Sequence, residues 1–256
     1  MTEFRGQSIK DGVEYRPFIS IVMNFTKPTG DTPALITHDE FTTFLHEFGH
    51  ALHGILAQGR YPSLTGTGVS RDFVELPSQI NEHWAFEPEV LAVYAKHYKT
   101  GEVIPMELVE KITKSAQYGQ GFATVEYLAA SLSDMDLHVL TEIPADLNVM
   151  DFEQQKLAER GIPKQILPRY RMTNFSHTMG GGYTAGYYSY MWAEVLDADA
   201  FDAFAETGDI FNQEVAAKFR KYVLTPGGID DGMTRYKNFR GREPQIDALL
   251  RNRGLK

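Results

Sequence analysis

The chain has no cysteine among its 256 residues, which excludes a disulfide framework and a thiol nucleophile and makes a reducing compartment, the cytoplasm, the default. No apolar run reaches the roughly 18 residues of a membrane span, and the N terminus carries Glu3 and Asp11 instead of a basic stretch leading into an apolar one. Neither a membrane nor a secretory leader is therefore expected. Positive charge is also scarce: 25 Lys and Arg against 34 Asp and Glu leave a formal net charge of −9, and no basic run offsets it, which argues against a nucleic-acid partner. A G-x-S-x-G elbow is missing too, so a Ser-His-Asp hydrolase is disfavoured. No internal repeat is present. With 43% hydrophobic residues, a chain of this length can nonetheless bury a large core in one domain.

One stretch is dense with signals: Thr37 to Gly59, THDEFTTFLHEFGHALHGILAQG. Thr37 followed three residues later by Glu40 is a capping box, and Gly59 suits a C′ position, so the pattern predicts a helix over 38–58. Phe41, Phe44, Leu45, Phe48, Leu52, Ile55 and Leu56 fall within roughly 60° of one direction, while His46 and His50 point roughly 140–180° away. The two histidines are expected off the face that the apolar stripe buries. A histidine in an apolar helix is ordinarily a core residue. Here the pair sits one turn apart with Glu47 between, giving HEFGH, an H-E-x-x-H. Both imidazoles can reach a single zinc ion, and Glu47 can contact water there without being a ligand.

A zinc ion that keeps one position open needs a third protein ligand. Glu75 in DFVELPSQ is the best candidate, following the loop GTGVS and preceding a second helical pattern through Gln79, Glu82 and Trp84. Pro77 belongs near the first turn of that helix, because farther in its ring would clash with the carbonyl of Phe73. Spacing alone leaves Glu82 and Glu87 as rivals, and a solvated carboxylate is the bland alternative for each acid. His53, on the histidine side of the helix, is a further rival that could instead hydrogen-bond locally.

Residues 1–30 read differently. Tyr15 to Phe25, YRPFISIVMNF, is strand-like, and TEFRGQSIKDG before it is a short strand or loop ending in an Asp-Gly turn. Together they predict a small structural sheet beside the helix, and TKPTGDTP is turn chemistry that delivers the chain to Thr37. Past Glu75 the pattern is helical over 87–98, 106–132 and 146–159, broken at Gly101, Pro105, Pro144 and Gly161–Pro163. Asp134, Asp136 and His138 in SDMDLHVL lack zinc or calcium-loop spacing and are expected between helices, facing water.

Phe175 to Trp192, FSHTMGGGYTAGYYSYMW, is the second informative stretch. Gly180, Gly181 and Gly182 disfavour a helix interior and read as a loop into a helix carrying Tyr183, Tyr187, Tyr188 and Tyr190. In the bland reading, Tyr183, Tyr187 and Tyr190 form one buried seam. In the functional one, phenols donate hydrogen bonds to the oxyanion formed when a peptide carbonyl is attacked. Composition leaves the two level, although a seam accounts for neither His177 nor the triple glycine. From about Asp199 a helical segment with Phe201, Phe204, Phe211 and Phe219 leads to Arg235, Tyr236, Arg240 and Arg242. Such arginines are ordinarily solvated or in salt bridges, but Arg235 or Arg240 could clamp a terminal carboxylate in bidentate fashion.

HEFGHALH, then VELPSQ with its glutamate 29 positions after His46, resembles the thimet oligopeptidase family of zinc metallopeptidases, and within it the branch of bacterial peptidyl-dipeptidases and oligopeptidase A. The likeness runs from NFTKP at Asn24 to the closing FRGREPQIDALLRNRGL. It implies that His46, His50 and Glu75 bind one zinc ion and that Glu47 is the general base. FSHxxGGGYxAGYYSYxW is similar to the peptidyl-dipeptidase form of its motif; mammalian-type members have one residue fewer between the histidine and the first tyrosine. By that resemblance His177 binds substrate or stabilises the tetrahedral intermediate, and Tyr190 is the principal oxyanion donor. Tyr183 and Tyr187 line the site, and the loop with Gly181 and Gly182 closes on substrate.

The implied fold is mainly α, a zincin-like HExxH helix with a small N-terminal β-sheet, with residues 1–30 as the sheet segment and 37–256 as the helical zinc-peptidase core. The implied reaction is zinc-dependent hydrolysis of short peptides that releases C-terminal dipeptides, with endopeptidase cleavage of oligopeptides as the alternative. Family members carry several hundred further residues ahead of this region. The resemblance therefore implies a catalytic region without its N-terminal lobe, with apolar surface left exposed for that lobe or for self-association. A helical scaffold or partner-binding protein that merely retains the motifs is the non-enzyme alternative.

Overall fold

The computed structural model describes residues 1–256, which divide into two compact units. One comprises Met1–Ile112 with Ala193–Lys256, the other Thr113–Trp192. Four short strands open the chain: β1 (Thr2–Arg5), β2 (Ser8–Lys10), β3 (Val13–Tyr15) and β4 (Phe18–Ser20). The helices follow as α1 (His38–Ile55), α2 (Leu76–Glu82), α3 (Pro88–Tyr94), α4 (Met106–Ala116), α5 (Gln120–His138) and α6 (Val149–Glu159). The remainder are α7 (Ser176–Met179), α8 (Ser189–Ala205), α9 (Gln213–Phe219), α10 (Gly232–Arg240) and α11 (Asp247–Asn252). The fold is mainly α with a small antiparallel β-structure at the N terminus, as the sequence implies. No helix is long and apolar enough to cross a membrane.

Strands β2 and β3 form a hairpin through Asp11 and Gly12, whose φ angles of 52° and 76° supply the left-handed geometry of a two-residue turn. Strand β1 pairs antiparallel with β4, Thr2 opposite Ser20. The strand expected over Tyr15–Phe25 is shorter and interrupted: Pro17, which has no N–H to give a ladder, separates β3 from β4, and residues 21–25 carry no strand.

Helix α1 starts as predicted. The Thr37 hydroxyl accepts the Glu40 N–H at 3.2 Å, and the Glu40 carboxylate accepts the Thr37 N–H at 2.6 Å. It ends at Ile55 instead of 58, capped by Leu56. Gly59 is not the cap; a Cβ there would fall 2.5 Å from Thr65 Cγ2, so it is glycine because of a close approach.

The covered face of α1 is not the expected one. Gly49, Ala51, His53 and Gly54 are buried, whereas Phe48 and Ile55 of the apolar stripe are 38% and 41% exposed. Small residues let neighbours come close: a Cβ on Gly49 would lie 2.3 Å from the Pro77 carbonyl oxygen, and one on Gly54 2.3 Å from Ile19 Cδ1. A groove of about 850 Å³ beside the start of α1 is also largely apolar, with Ile36, Phe41, Tyr94 and Ile104 in its wall.

The first unit has its core around Phe73, Leu76, Ile80, Leu196, Phe204, Val223, Tyr236 and Phe239. Pro77 lies in the first turn of α2, as predicted. The helix expected over 106–132 is broken at 117–119, where Gly119 has a φ of 73°, and restarts as α5, which continues to His138. Asp134 and Asp136 are thus helical and buried, not loop residues facing water. Tyr183 is irregular, Thr184 to Tyr188 form turns, and helix begins again only at Ser189, so the tyrosines do not make a helical seam.

His53 is fully buried, and neither ring nitrogen has a hydrogen-bond partner in the protein. Burial, with Arg235 and His50 nearby, lowers its pKa from 6.5 to about 3. Between those values the unfolded chain binds a proton that the folded chain refuses. Stability from this group is therefore complete above about pH 6.5 and falls with pH by up to about 1.4 kcal/mol per pH unit. Replacing the ring by His53→Leu is expected to flatten the dependence of unfolding free energy on pH across this window, measured by urea titration; an unchanged slope would contradict it.

Candidate functional site

Two helices supply the metal-ligating groups. Gly49 lies between His46 and His50, and where its Cβ would be stand the Pro77 carbonyl oxygen at 2.3 Å and Ser78 Cα at 2.7 Å. With the backbone of α1 against the first turn of α2, Glu75 is brought to both histidines: its Oε2 is 3.3 Å from His46 Nε2 and 3.2 Å from His50 Nε2. One ligand atom from each of the three residues lies within 4.8 Å of the others. No other trio of His, Asp or Glu side chains converges this way, so Glu82, Glu87 and His53 stay outside the ligand cluster.

The donor set fits zinc. Two imidazoles and a carboxylate leave a fourth position for water or substrate, and ligand atoms about 2.0–2.1 Å from a tetrahedral ion stand about 3.3–3.4 Å apart. The separations from Glu75 to the two histidines match that edge.

Glu82, expected as a rival ligand, instead stands behind one. His46 Nδ1 meets Glu82 Oε1 at 2.7 Å, a partner that holds a ring proton on Nδ1 and leaves Nε2 to a metal ion when one is bound. The spacing from Glu75 to Glu82, two helical turns, was the available signal, since it puts both acids on one side of α2. Ser78 Oγ donates to Glu75 Oε2 at 2.8 Å. Burial opposes charge on His46, but hydrogen bonds with Glu75 and Glu82 outweigh it and raise the pKa to about 10. Burial likewise opposes charge on Glu75, yet hydrogen bonds with His46 and His50 hold it well below the usual carboxylate range. The carboxylates thus sustain positive charge at this point, the electrostatics that a cation site requires. Glu47 is half-buried, and its carboxylate contacts the α-amino group of Met1.

In the second unit, the structure gathers the residues of the histidine-tyrosine stretch. The His177 ring centroid is 6.0 Å from that of Tyr183, 5.9 Å from Tyr187 and 6.3 Å from Tyr190. Tyr183 stacks on Tyr190 at 5.0 Å. A cavity of about 640 Å³ has His177, Gly181, Tyr183 and Tyr190 in its wall. Tyr187 and Gly182 are not among its lining residues. Tyr187 is 3% exposed and packs with Ala130 and Phe175, and burial raises its phenol to about 12. Tyr187 thus lies in the core, while Tyr183 and Tyr190 reach the cavity wall.

The arginines considered as carboxylate clamps have other work. Arg235 is 2% exposed and donates to the carbonyls of Tyr222, Val223 and Gly227, at the end of a π-helical turn, Arg220–Leu224. Arg240 donates to the Asp199 carbonyl at 3.0 Å and holds both oxygens of Glu206. The donors of both side chains therefore have partners within the chain.

Two substitutions test this geometry. Gly49→Ala sets a methyl group on the Pro77 carbonyl and is expected to destabilise by about 1–3 kcal/mol and to abolish stoichiometric zinc uptake, read by denaturant titration and elemental analysis. Zinc bound as tightly as in the unaltered chain would show that close helix contact is dispensable. Glu82→Gln retains an acceptor but loses the charge behind His46, and should weaken zinc by about 10–100-fold in competition with a chelator.

A profile of peptidase family M3 matches residues 1–255. The chain is 45% identical to the dipeptidyl carboxypeptidase of Salmonella typhimurium, over 94% of this chain and 36% of that protein. It is 42% identical to oligopeptidase A of the same organism, over 100% of this chain and 38% of the relative. Saccharolysin of Saccharomyces cerevisiae is 35% identical over 96% of this chain and 35% of its own length. The chain thus spans a little over a third of the length of these relatives. Matched along nearly its whole length, with both histidines and the glutamate converging, the chain belongs to peptidase family M3.

Proposed function

We propose that this chain hydrolyses peptide bonds in short peptides with one zinc ion held by His46, His50 and Glu75. The observation that carries the reading is the convergence of two imidazole nitrogens on Glu75 Oε2 at 3.2–3.3 Å, with Glu47 adjacent in the same helix. A bound zinc ion supplies Lewis-acid polarisation of the scissile carbonyl and acidifies water. Glu47 takes the proton of the attacking water on its carboxylate and returns it to the nitrogen of the leaving amine. Glu82 keeps the His46 proton on Nδ1, and Ser78 orients the Glu75 carboxylate.

By the resemblance of its motif, the histidine-tyrosine stretch supplies hydrogen-bond donors to the substrate. Tyr190 donates its phenol proton to the substrate oxygen as negative charge develops, a contribution of about 2–4 kcal/mol to the barrier. Tyr183 and His177 share its cavity and bind the substrate, Tyr187 supports them from the core, and the loop with Gly181 and Gly182 closes on the peptide.

Release of C-terminal dipeptides is the proposed mode, supported by the peptidyl-dipeptidase form of FSHTMGGGYTAGYYSYMW and by the relative named dipeptidyl carboxypeptidase. Internal cleavage of short peptides is the second reading, supported by the match to oligopeptidase A over the whole chain. The test is to assay the zinc-loaded chain and Glu47→Gln on a short peptide with a free C terminus and on its amide. Dipeptides are expected from the free peptide alone, and Glu47→Gln should keep its zinc while losing nearly all turnover. Equal cleavage of peptide and amide would move the assignment to the oligopeptidase reading. Turnover by Glu47→Gln at the unaltered rate would remove Glu47 from the mechanism.

A further inference from the structure

Helix α5 carries a polar stripe that none of the roles above uses. Tyr127, Asp134 and His138 fall on one side of it, being two and three turns apart. The Tyr127 hydroxyl donates to the carbonyl oxygen of Tyr187, and the hydroxyl oxygen of Tyr127 accepts the N–H of Met191 at 3.2 Å. Asp134 is 1% exposed, and each of its oxygens is engaged: Oδ1 accepts the Ala185 N–H and Oδ2 the Tyr187 N–H, both at 3.0 Å. His138 Nδ1 stands 2.9 Å from Asp134 Oδ1.

What these side chains hold is unusual backbone. Ala185 has a φ of 50°, in the left-handed region that a Cβ disfavours, and Asp11 of the hairpin turn is the other non-glycine residue with positive φ. A strained residue persists only where its surroundings over-determine it, and strain of this kind gathers at functional sites. Ala185 lies between Tyr183 and Tyr187, and Met191 lies in the first turn of α8, where N–H groups lack helical partners. The polar backbone groups at 185, 187 and 191 are thus tied to α5 side chains on one side, while Tyr183 and Tyr190 meet in the cavity with His177 on the other. A single buried N–H would be satisfied by any neutral acceptor. A carboxylate accepting two of them, two residues apart, also sets the path of the chain between them.

We infer that Asp134 and Tyr127 are positioning residues: they hold the 185–191 turn so that the Tyr183 and Tyr190 phenols sit against His177 in the geometry that serves the substrate. The effect on turnover rests on the proposed peptidase reading; the effect on the backbone does not. Asp136 offers a control, since it is also buried on α5 but pairs with Arg160 at 2.6 Å and bonds nothing in the turn.

The experiment compares Asp134→Asn, Tyr127→Phe and Asp136→Asn in the zinc-loaded chain, reading amide hydrogen exchange at Ala185, Tyr187 and Met191, zinc content, and kcat and KM on the free peptide. In Asp134→Asn the Ala185 and Tyr187 amides should exchange at least about tenfold faster than in the unaltered chain. Its kcat should fall about ten- to hundredfold, with KM within about twofold and zinc unchanged. Tyr127→Phe should expose the Met191 amide and lower kcat less, and Asp136→Asn should move neither readout. If Asp134→Asn does not fold, Tyr127→Phe, which keeps the packed ring, carries the test. Unchanged exchange in a folded variant overturns the inference, and so does faster exchange with an unchanged kcat. Should the unaltered chain cleave no peptide, the peptidase reading fails by itself, and the exchange pattern alone decides whether α5 holds the turn.

Discussion

The convergence of His46, His50 and Glu75 depends on a steric fact, the absence of a side chain at Gly49. Two histidines one turn apart can approach an ion from one helix only, and helices with ordinary side chains at their contact keep their axes about 8–10 Å apart. With the Pro77 carbonyl where a Cβ would stand, α1 and the first turn of α2 touch through backbone, and Glu75 comes within 3.3 Å of both imidazoles. Pro77 suits that position, because an N–H at the start of a helix has no helical partner in any case. The same contact sets Glu82, two turns on, against the rear of the His46 ring. One small residue therefore determines both the ligand opposite the histidines and the proton position of one of them.

That contact also explains which face of α1 is covered. Periodicity locates apolar residues on a helix but not the element that packs on them. Here closeness decides: the glycine-bearing side is buried, while Phe48 and Ile55 remain partly in contact with solvent. Placing the histidines on the covered side has an electrostatic consequence. Glu75, nearly inaccessible, would cost several kcal/mol to bury as an unpaired charge, so its surroundings must supply positive charge. The imidazoles and a cation between them are the means available.

What could be read from the residues was what local chemistry determines. The capping box at Thr37, the Asp-Gly turn, Pro77 at the head of α2 and the grouping of His177 with the tyrosines all rest on neighbours in sequence. What escaped depends on partners far along the chain. Gly59 suits a helix end, yet Thr65 explains it. The break at Gly119 lies in a stretch whose apolar spacing is continuous, so only its left-handed φ marks it. Asp134 and Asp136 look solvated because nothing nearby says that the turn at 185–191 and Arg160 will meet them. Glu82 lay between these cases, since its two-turn spacing from Glu75 was visible but its partner His46 was not.

The buried acids bear on substrate recognition as well. Although the formal charge is −9, a share of the carboxylates is turned inward, and each has a cationic or N–H partner: Glu153 with Arg171, Asp136 with Arg160, Asp197 with His83, and Asp199 with Arg242 and Arg240. Internal carboxylates of this kind consume the guanidinium groups that a terminal carboxylate of a peptide would otherwise find. Drawing both Arg242 and Arg240 from Asp199 would leave a buried charge without a cationic partner, a loss of about 3–5 kcal/mol that a solvated peptide carboxylate does not return. In the dipeptide-releasing mode we propose, recognition of a free C terminus would draw on groups other than these arginines. The wall of the cavity that holds His177, Tyr183 and Tyr190 carries phenol and imidazole groups and no guanidinium.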